Sequence, residues 1–194
     1  IVDAHTGGKI TAKDFVPSPL AHPHCYSICY LLCLDGGGYV PFTRFLSRAK
    51  LFELLADSLY VQPREPIESA LRDAIDDLWA RGDEVEQGER ILATLKRLVR
   101  EMFPSEGALP LEARQKIAER ATKAIYIHSH MDEESFDVAR IMKCSVGVPD
   151  VDGSNIPTCS YNVLYREKDA RFAAPEMLSR MDSQKRALPL IQSK

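Results

Sequence analysis

Ile67, Leu71, Ile75 and Leu78 recur at intervals of four, four and three residues, which gathers them on one face of an α-helix. Pro66 and Glu68 stand where a helix starts well: the proline loses no needed donor there, and the acid meets the positive end of the helix dipole. Gly82 offers a stop. A second periodic stretch, from Glu86 to Met102, carries Ile91, Leu92, Leu95, Leu98 and Val99, and a shorter helix is predicted from Leu111 to Thr122. Phe45, Leu46, Phe52, Leu54, Leu55 and Leu59 predict a further helical segment between Thr43 and Tyr60. The middle of the chain therefore reads as a bundle of three to four helices.

The flanks follow a different period. Pro17, Pro19 and Pro23 forbid a helix before residue 24, so that stretch is expected to be turns and extended chain. The apolar run Tyr26 to Leu34 and the run Tyr39 to Phe42 surround Gly36-Gly37-Gly38 and predict a β-hairpin. Ala124 to His130 is β-branched and aromatic, hence a strand. Asp132 or Ser135 is expected to cap a brief helix ending near Met142. Cys144 to Val148 and Ile156 to Tyr165, around a Pro149–Gly153 turn, read as a second hairpin. The expected architecture is α+β: a small antiparallel sheet built from both chain ends (two hairpins plus a strand) packed against the central bundle. Residues 1–167 are expected to form a single α+β domain, and 168–194 a weakly helical or frayed tail.

Composition narrows the function classes. The chain has 194 residues and a net charge of −3, so no basic field invites nucleic acid. No apolar run reaches a membrane-spanning length, and no signal peptide is visible. Five cysteines make an uneven set for disulfides, so reduced thiols and a cytoplasmic setting are expected. The chain opens Ile1-Val2-Asp3 without methionine, which reads as a domain excised from a longer protein. The paired acids, such as Asp76-Asp77 and Glu84/Glu86, read as solvated helix faces and turns.

The chemistry lies at the ends, because no histidine or cysteine falls between Cys33 and His128. If the second hairpin turns over Pro149–Ser154, Cys144 and Cys159 stand opposite each other, with Cβ atoms about 4.5–5.5 Å apart. That is wide for a disulfide and suitable for two ligands of one metal. His22-Pro23-His24-Cys25 adds two imidazoles and a thiol in a stiff loop. Cys25, Cys144 and Cys159 with His24, or less readily His22, would make a Cys₃His zinc site or a four-ligand iron–sulfur site. Cys29 and Cys33 lie in an apolar strand and read as core. His128 and His130, two apart, are expected on one side of a strand, with Asp132 near them. His5 either lines the same cavity or is exposed. No phosphate loop, dinucleotide fingerprint or nucleophile elbow is present.

His5-Thr6-Gly7-Gly8, Asp14-Phe15-Val16-Pro17-Ser18-Pro19, Tyr39-Val40-Pro41-Phe42-Thr43-Arg44, Ile127-His128-Ser129-His130-Met131-Asp132 and Ile156-Pro157-Thr158-Cys159-Ser160-Tyr161-Asn162 occur in an order that resembles the C-terminal region of radical S-adenosylmethionine proteins similar to archaeal tetraether lipid synthase. The resemblance implies an accessory domain that follows an upstream radical S-adenosylmethionine barrel in the same chain. It implies an auxiliary iron–sulfur cluster at Cys25, Cys144 and Cys159, and S-adenosylmethionine bound only by the parent protein. Leu20 stands where that family is expected to carry a further cysteine, so His22, His24 or an outside atom would complete the shell. His128, His130, Asp132, Asn162 and His5 become candidate cavity or supporting groups around an unknown small-molecule or lipid substrate. Two rival readings are a structural zinc module for docking, and a thiol enzyme using Cys25 with His24 or His128 as base.

Overall fold

The computed structural model describes residues 2–56, 61–81, 84–150, 152–167 and 169. The chain divides into two compact units, Ile1–His128 and Ser129–Lys194. The expected tail from residue 168 falls outside the described residues, save Asp169, as do Gly82 and Leu59.

The first unit is built on one strand. β2 (Tyr26–Cys33) pairs antiparallel along its length with β4 (Thr122–His128), from Tyr26 opposite His128 to Leu32 opposite Thr122. Its other edge is shared end to end by β1 (Val16–Pro17) and β3 (Tyr39–Pro41). Both faces of β2 are covered, which explains why its sequence is apolar throughout rather than alternating. Tyr26, Ile28, Tyr30 and Leu32 face the main core, whereas Cys29 and Leu31 join a smaller cluster with Phe15, Val2, Ile10 and Ile125.

The main core is closed by helices. α3 (Glu65–Arg81) buries Ile67, Ala70, Leu71, Ala74 and Leu78, and α4 (Gly88–Met102) buries Ile91, Thr94, Leu95, Leu98, Val99 and Met102. α5 (Leu111–Ala121) runs directly into β4. These helices match the periodicity, except that Ile75 is only partly buried and alanines share its role. The triple-glycine turn is held by α4: the Asp35 amide donates to the buried Thr94 hydroxyl at 3.2 Å, and Arg90 donates to the Asp35 and Gly37 carbonyls at 3.0 and 2.6 Å. Gly36, Gly37 and Gly38 have φ of 79°, 98° and 93°, a left-handed run that side chains would strain.

Several local expectations are corrected. α1 (Val2–Thr6) is a short helix where turns and extended chain were expected; the prolines lie beyond it, and the Thr6 hydroxyl donates to the Val2 carbonyl at 3.0 Å. In the stretch from Thr43, helix α2 occupies only Arg48–Leu54, because Ser47 caps it by accepting from the Lys50 amide at 3.1 Å. A 3₁₀ turn, Phe42–Arg44, precedes it.

In the second unit, α6 (Val138–Ile141) is capped by Asp137, whose side chain accepts from the Ala139 amide at 2.8 Å, rather than by Asp132 or Ser135. β5 (Gly147–Pro149) and β6 (Asn155–Pro157) form a two-stranded sheet of their own, so the second hairpin does not extend the first sheet. α7 (Thr158–Ser160) and a π-helical turn, Tyr161–Tyr165, follow where a longer strand was expected. The α+β class stands.

Candidate functional site

A loop in the second unit closes on its own side chains. The Asp132 carboxylate accepts from the Ser135 hydroxyl at 2.6 Å and amide at 2.8 Å. These bonds, the hydroxyl's first, hold the Asp132 carboxyl below its ordinary range. Asp132 is therefore a loop closer. Inside the loop, Met131 is buried and its sulfur accepts from the Asp137 amide at 3.3 Å.

This arrangement delivers two groups to Cys159, which sits in α7 with 7% exposure. The Met131 amide donates to Cys159 Sγ at 3.4 Å, and His130 Nδ1 lies 3.8 Å from the same sulfur. Cys144 lies just beyond α6, its amide donating to the Ile141 carbonyl at 3.0 Å. Its thiol donates to the Val146 carbonyl at 2.9 Å. That carbonyl already accepts the Thr158 amide at 3.1 Å and the Thr158 hydroxyl at 2.9 Å. A carbonyl oxygen has two lone pairs, so the Cys144 thiol is the surplus donor.

The expected cross-strand pairing of Cys144 with Cys159 does not occur. The Asp150 amide donates to the Ser154 carbonyl at 2.9 Å, which closes the turn one residue tighter and pairs Pro149 with Asn155 and Val148 with Ile156. Neither cysteine is in a strand, and a one-residue difference in register reverses which faces meet. Asn162 is half-buried in the π-helical turn.

The first unit carries the other candidates. His22 and His24 touch edge to face at 5.4 Å between ring centroids, and the His24 amide donates to His22 Nδ1 at 3.4 Å. The Cys25 amide donates to the His22 carbonyl at 2.8 Å, and the Cys25 side chain packs partly buried against the main core. Cys29 is fully buried; that burial, and secondarily the Asp14 charge, pushes its thiol up to about 12. Burial also raises the Cys33 thiol, against the pull of Lys123. Cys29 is a core thiol, whereas Cys33 is only half-buried, so mass-spectrometric mapping after brief iodoacetamide treatment is expected to find Cys29 unmodified until the protein is unfolded. His128 ends β4, opposite Tyr26, with ring centroids 4.4 Å apart. His130 lies beyond the strand, so the two histidines do not share a strand face.

His5 and Thr6 line a cleft of about 1000 Å³ together with Tyr39, Thr43 and Arg44. Two of its cations are paired with acids, Arg44 with Asp14 and Arg81 with Asp77, and Glu84 and Glu86 lie on its wall. Sequence reasoning missed the Asp14 lock beneath it. Asp14 accepts from Thr43 Oγ1 at 2.6 Å, Arg44 at 3.0 Å and the Thr11 amide at 2.8 Å. Asp14-Phe15 and Thr43-Arg44 occurred in two separately noted motifs, and that was the available signal.

Among the described residues, no three His, Cys, Asp or Glu side chains gather as a metal-ligand group, and no helix is long and apolar enough to cross a membrane. Among the described residues, His22 stands against His24, and His130 against Cys159.

No protein-family model matches the chain. The chain is 23% identical to a 7,8-dihydro-6-hydroxymethylpterin dimethyltransferase of Methanocaldococcus jannaschii, over 90% of its own length. It spans 38% of that protein's length.

Proposed function

We propose that this chain is an accessory domain of a radical S-adenosylmethionine enzyme, holding an auxiliary iron–sulfur cluster or metal and helping to close a substrate cavity. The observation that carries this reading is the match across 90% of the chain to 38% of a larger dimethyltransferase, which supports a radical S-adenosylmethionine relationship. The ordered motifs at the two ends agree with it. In this reading the remainder of a longer polypeptide supplies the barrel and binds S-adenosylmethionine, and the substrate is a small molecule or lipid. The thiolates of Cys144 and Cys159 are the ligands supplied by the second unit; Cys25, with His24 or His22, is the further candidate from sequence. His128, Asn162 and His5 are candidate cavity groups.

The donor chemistry supports the fit in the second unit. Cys159 accepts a backbone N–H at sulfur, as cluster-bound sulfurs do. Cys144 donates to a carbonyl that Thr158 already fills, a bond that a metal at the sulfur would replace. A cluster bound here would supply one-electron transfer; the protein's part is to hold its sulfurs and limit water around them.

Anaerobic reconstitution with ferrous iron and sulfide tests the proposal. The expected result is a broad visible absorbance that dithionite bleaches and that Cys144→Ser abolishes. Unchanged absorbance in that variant, or none in the native chain, overturns the cluster. Zinc retained by protein purified in air, with no visible absorbance gained, establishes instead a structural zinc module.

A further inference from the structure

We infer that His130, and not His22 or His24, is the imidazole that binds a metal together with Cys159, through Nδ1. This rests on the proposed metal-holding role and assigns a ligand that sequence reading placed only among the cavity groups.

Zn–S and Zn–N bonds of about 2.3 and 2.0–2.1 Å, at a tetrahedral angle, separate the two donor atoms by about 3.6 Å. The observed 3.8 Å between Cys159 Sγ and His130 Nδ1 needs that angle opened only to about 120°. The pair is already spaced for one shared ion. Holding it so is the work of the loop: Met131 is buried, its amide is bound to the same sulfur, and its own sulfur receives the Asp137 amide. The Met131 anchor thus holds the backbone at His130 beside the Cys159 sulfur.

Burial separates this reading from a nucleophile–base pair. Cys159 has 7% exposure, which leaves its sulfur little open surface for attack on a substrate carbon. His130 is exposed, and an ion can enter on the imidazole side and be desolvated against the thiolate. A mixed sulfur–nitrogen donor set suits a borderline-soft divalent ion. His22 and His24, by contrast, are in edge contact with each other, with Nδ1 of His22 accepting the His24 amide.

The test is a titration of the reduced chain with cobalt(II) chloride under argon, read by the sulfur-to-cobalt charge-transfer band and the visible d–d bands. The native chain is expected to develop both, and Cys159→Ser to weaken the charge-transfer band, whose intensity follows the number of sulfur ligands. Removing even an outer-shell partner typically weakens metal binding 10–100-fold, so loss of a direct ligand in His130→Gln should raise the cobalt Kd at least about tenfold. It should also shift the d–d bands, while His22→Gln and His24→Gln change neither. His130 is exposed, so its replacement leaves the fold intact, which circular dichroism verifies. A native charge-transfer band with His130→Gln indistinguishable from native overturns the assignment and leaves the metal-holding role standing. No charge-transfer band in the native chain overturns both.

Discussion

Replacing Asp14 by alanine should destabilise the first unit by roughly 3 kcal/mol, the scale of leaving several hydrogen-bond donors without their buried, charged acceptor. Asp14 has 4% exposure and joins the segment ahead of β1 to the 3₁₀ turn after β3 through Thr43, Arg44 and Thr11. Alanine leaves the Thr43 and Thr11 donors without their acceptor, whereas the Arg44 side chain, 45% exposed, turns to water. For a domain of this size the melting temperature should fall by about 10 °C. The pH dependence has a definite sign. Burial by itself would raise the Asp14 pKa, but the Thr43 and Thr11 hydrogen bonds and the Arg44 charge outweigh it and hold the carboxyl below 3.8. A group with a depressed folded-state pKa adds stability above its unfolded pKa and loses it as pH falls through the folded value. Native protein should therefore lose melting temperature steeply below about pH 4, where unfolded aspartates titrate, and Asp14→Asn should flatten that limb. A melting temperature unchanged by Asp14→Ala would show that the lock contributes nothing.

Leu95→Ala should cost roughly 2–5 kcal/mol, the range for a buried leucine replaced without full collapse of the site. Leu95 has no exposure and lies on α4 among Ile91, Leu98 and Val99, in the core closed over Ile28 and Leu32 of β2. Leu95 is fully enclosed by this core, so the site has little freedom to collapse around alanine, which favours the upper half of that range. Urea denaturation followed by circular dichroism measures it. A cost below about 1 kcal/mol would contradict the packing described here, since ordinary surface changes lie within ±0.5 kcal/mol.

What was legible in the chain was what local physics decides. Ile67, Leu71 and Leu78, or Ile91, Leu95 and Leu98, report their helices because successive turns bury one face. The Gly36–Gly38 turn was legible because only glycine accepts three left-handed residues in a row without strain. Register and long-range pairing were not. The Pro149–Ser154 span was one residue too long, because the Asp150–Ser154 bond that closes the turn leaves no mark in hydropathy. His128 and His130 were placed on one strand because their spacing suits it, yet β4 stops at His128. Asp14 with Thr43, and His130 with Cys159, lie 29 residues apart, and composition does not encode which pairs meet at that separation. The candidate residues were thus largely visible, and their partners were not.

The central claim, that the sulfurs of the second unit hold a metal for a larger enzyme, is tested most directly by metal content. The chain is loaded anaerobically, desalted, and assayed for iron, sulfide and zinc beside a Cys144→Ser/Cys159→Ser double variant. The account predicts metal retained by the native chain and lost from the variant. Equal retention by both, or retention by neither, would contradict it.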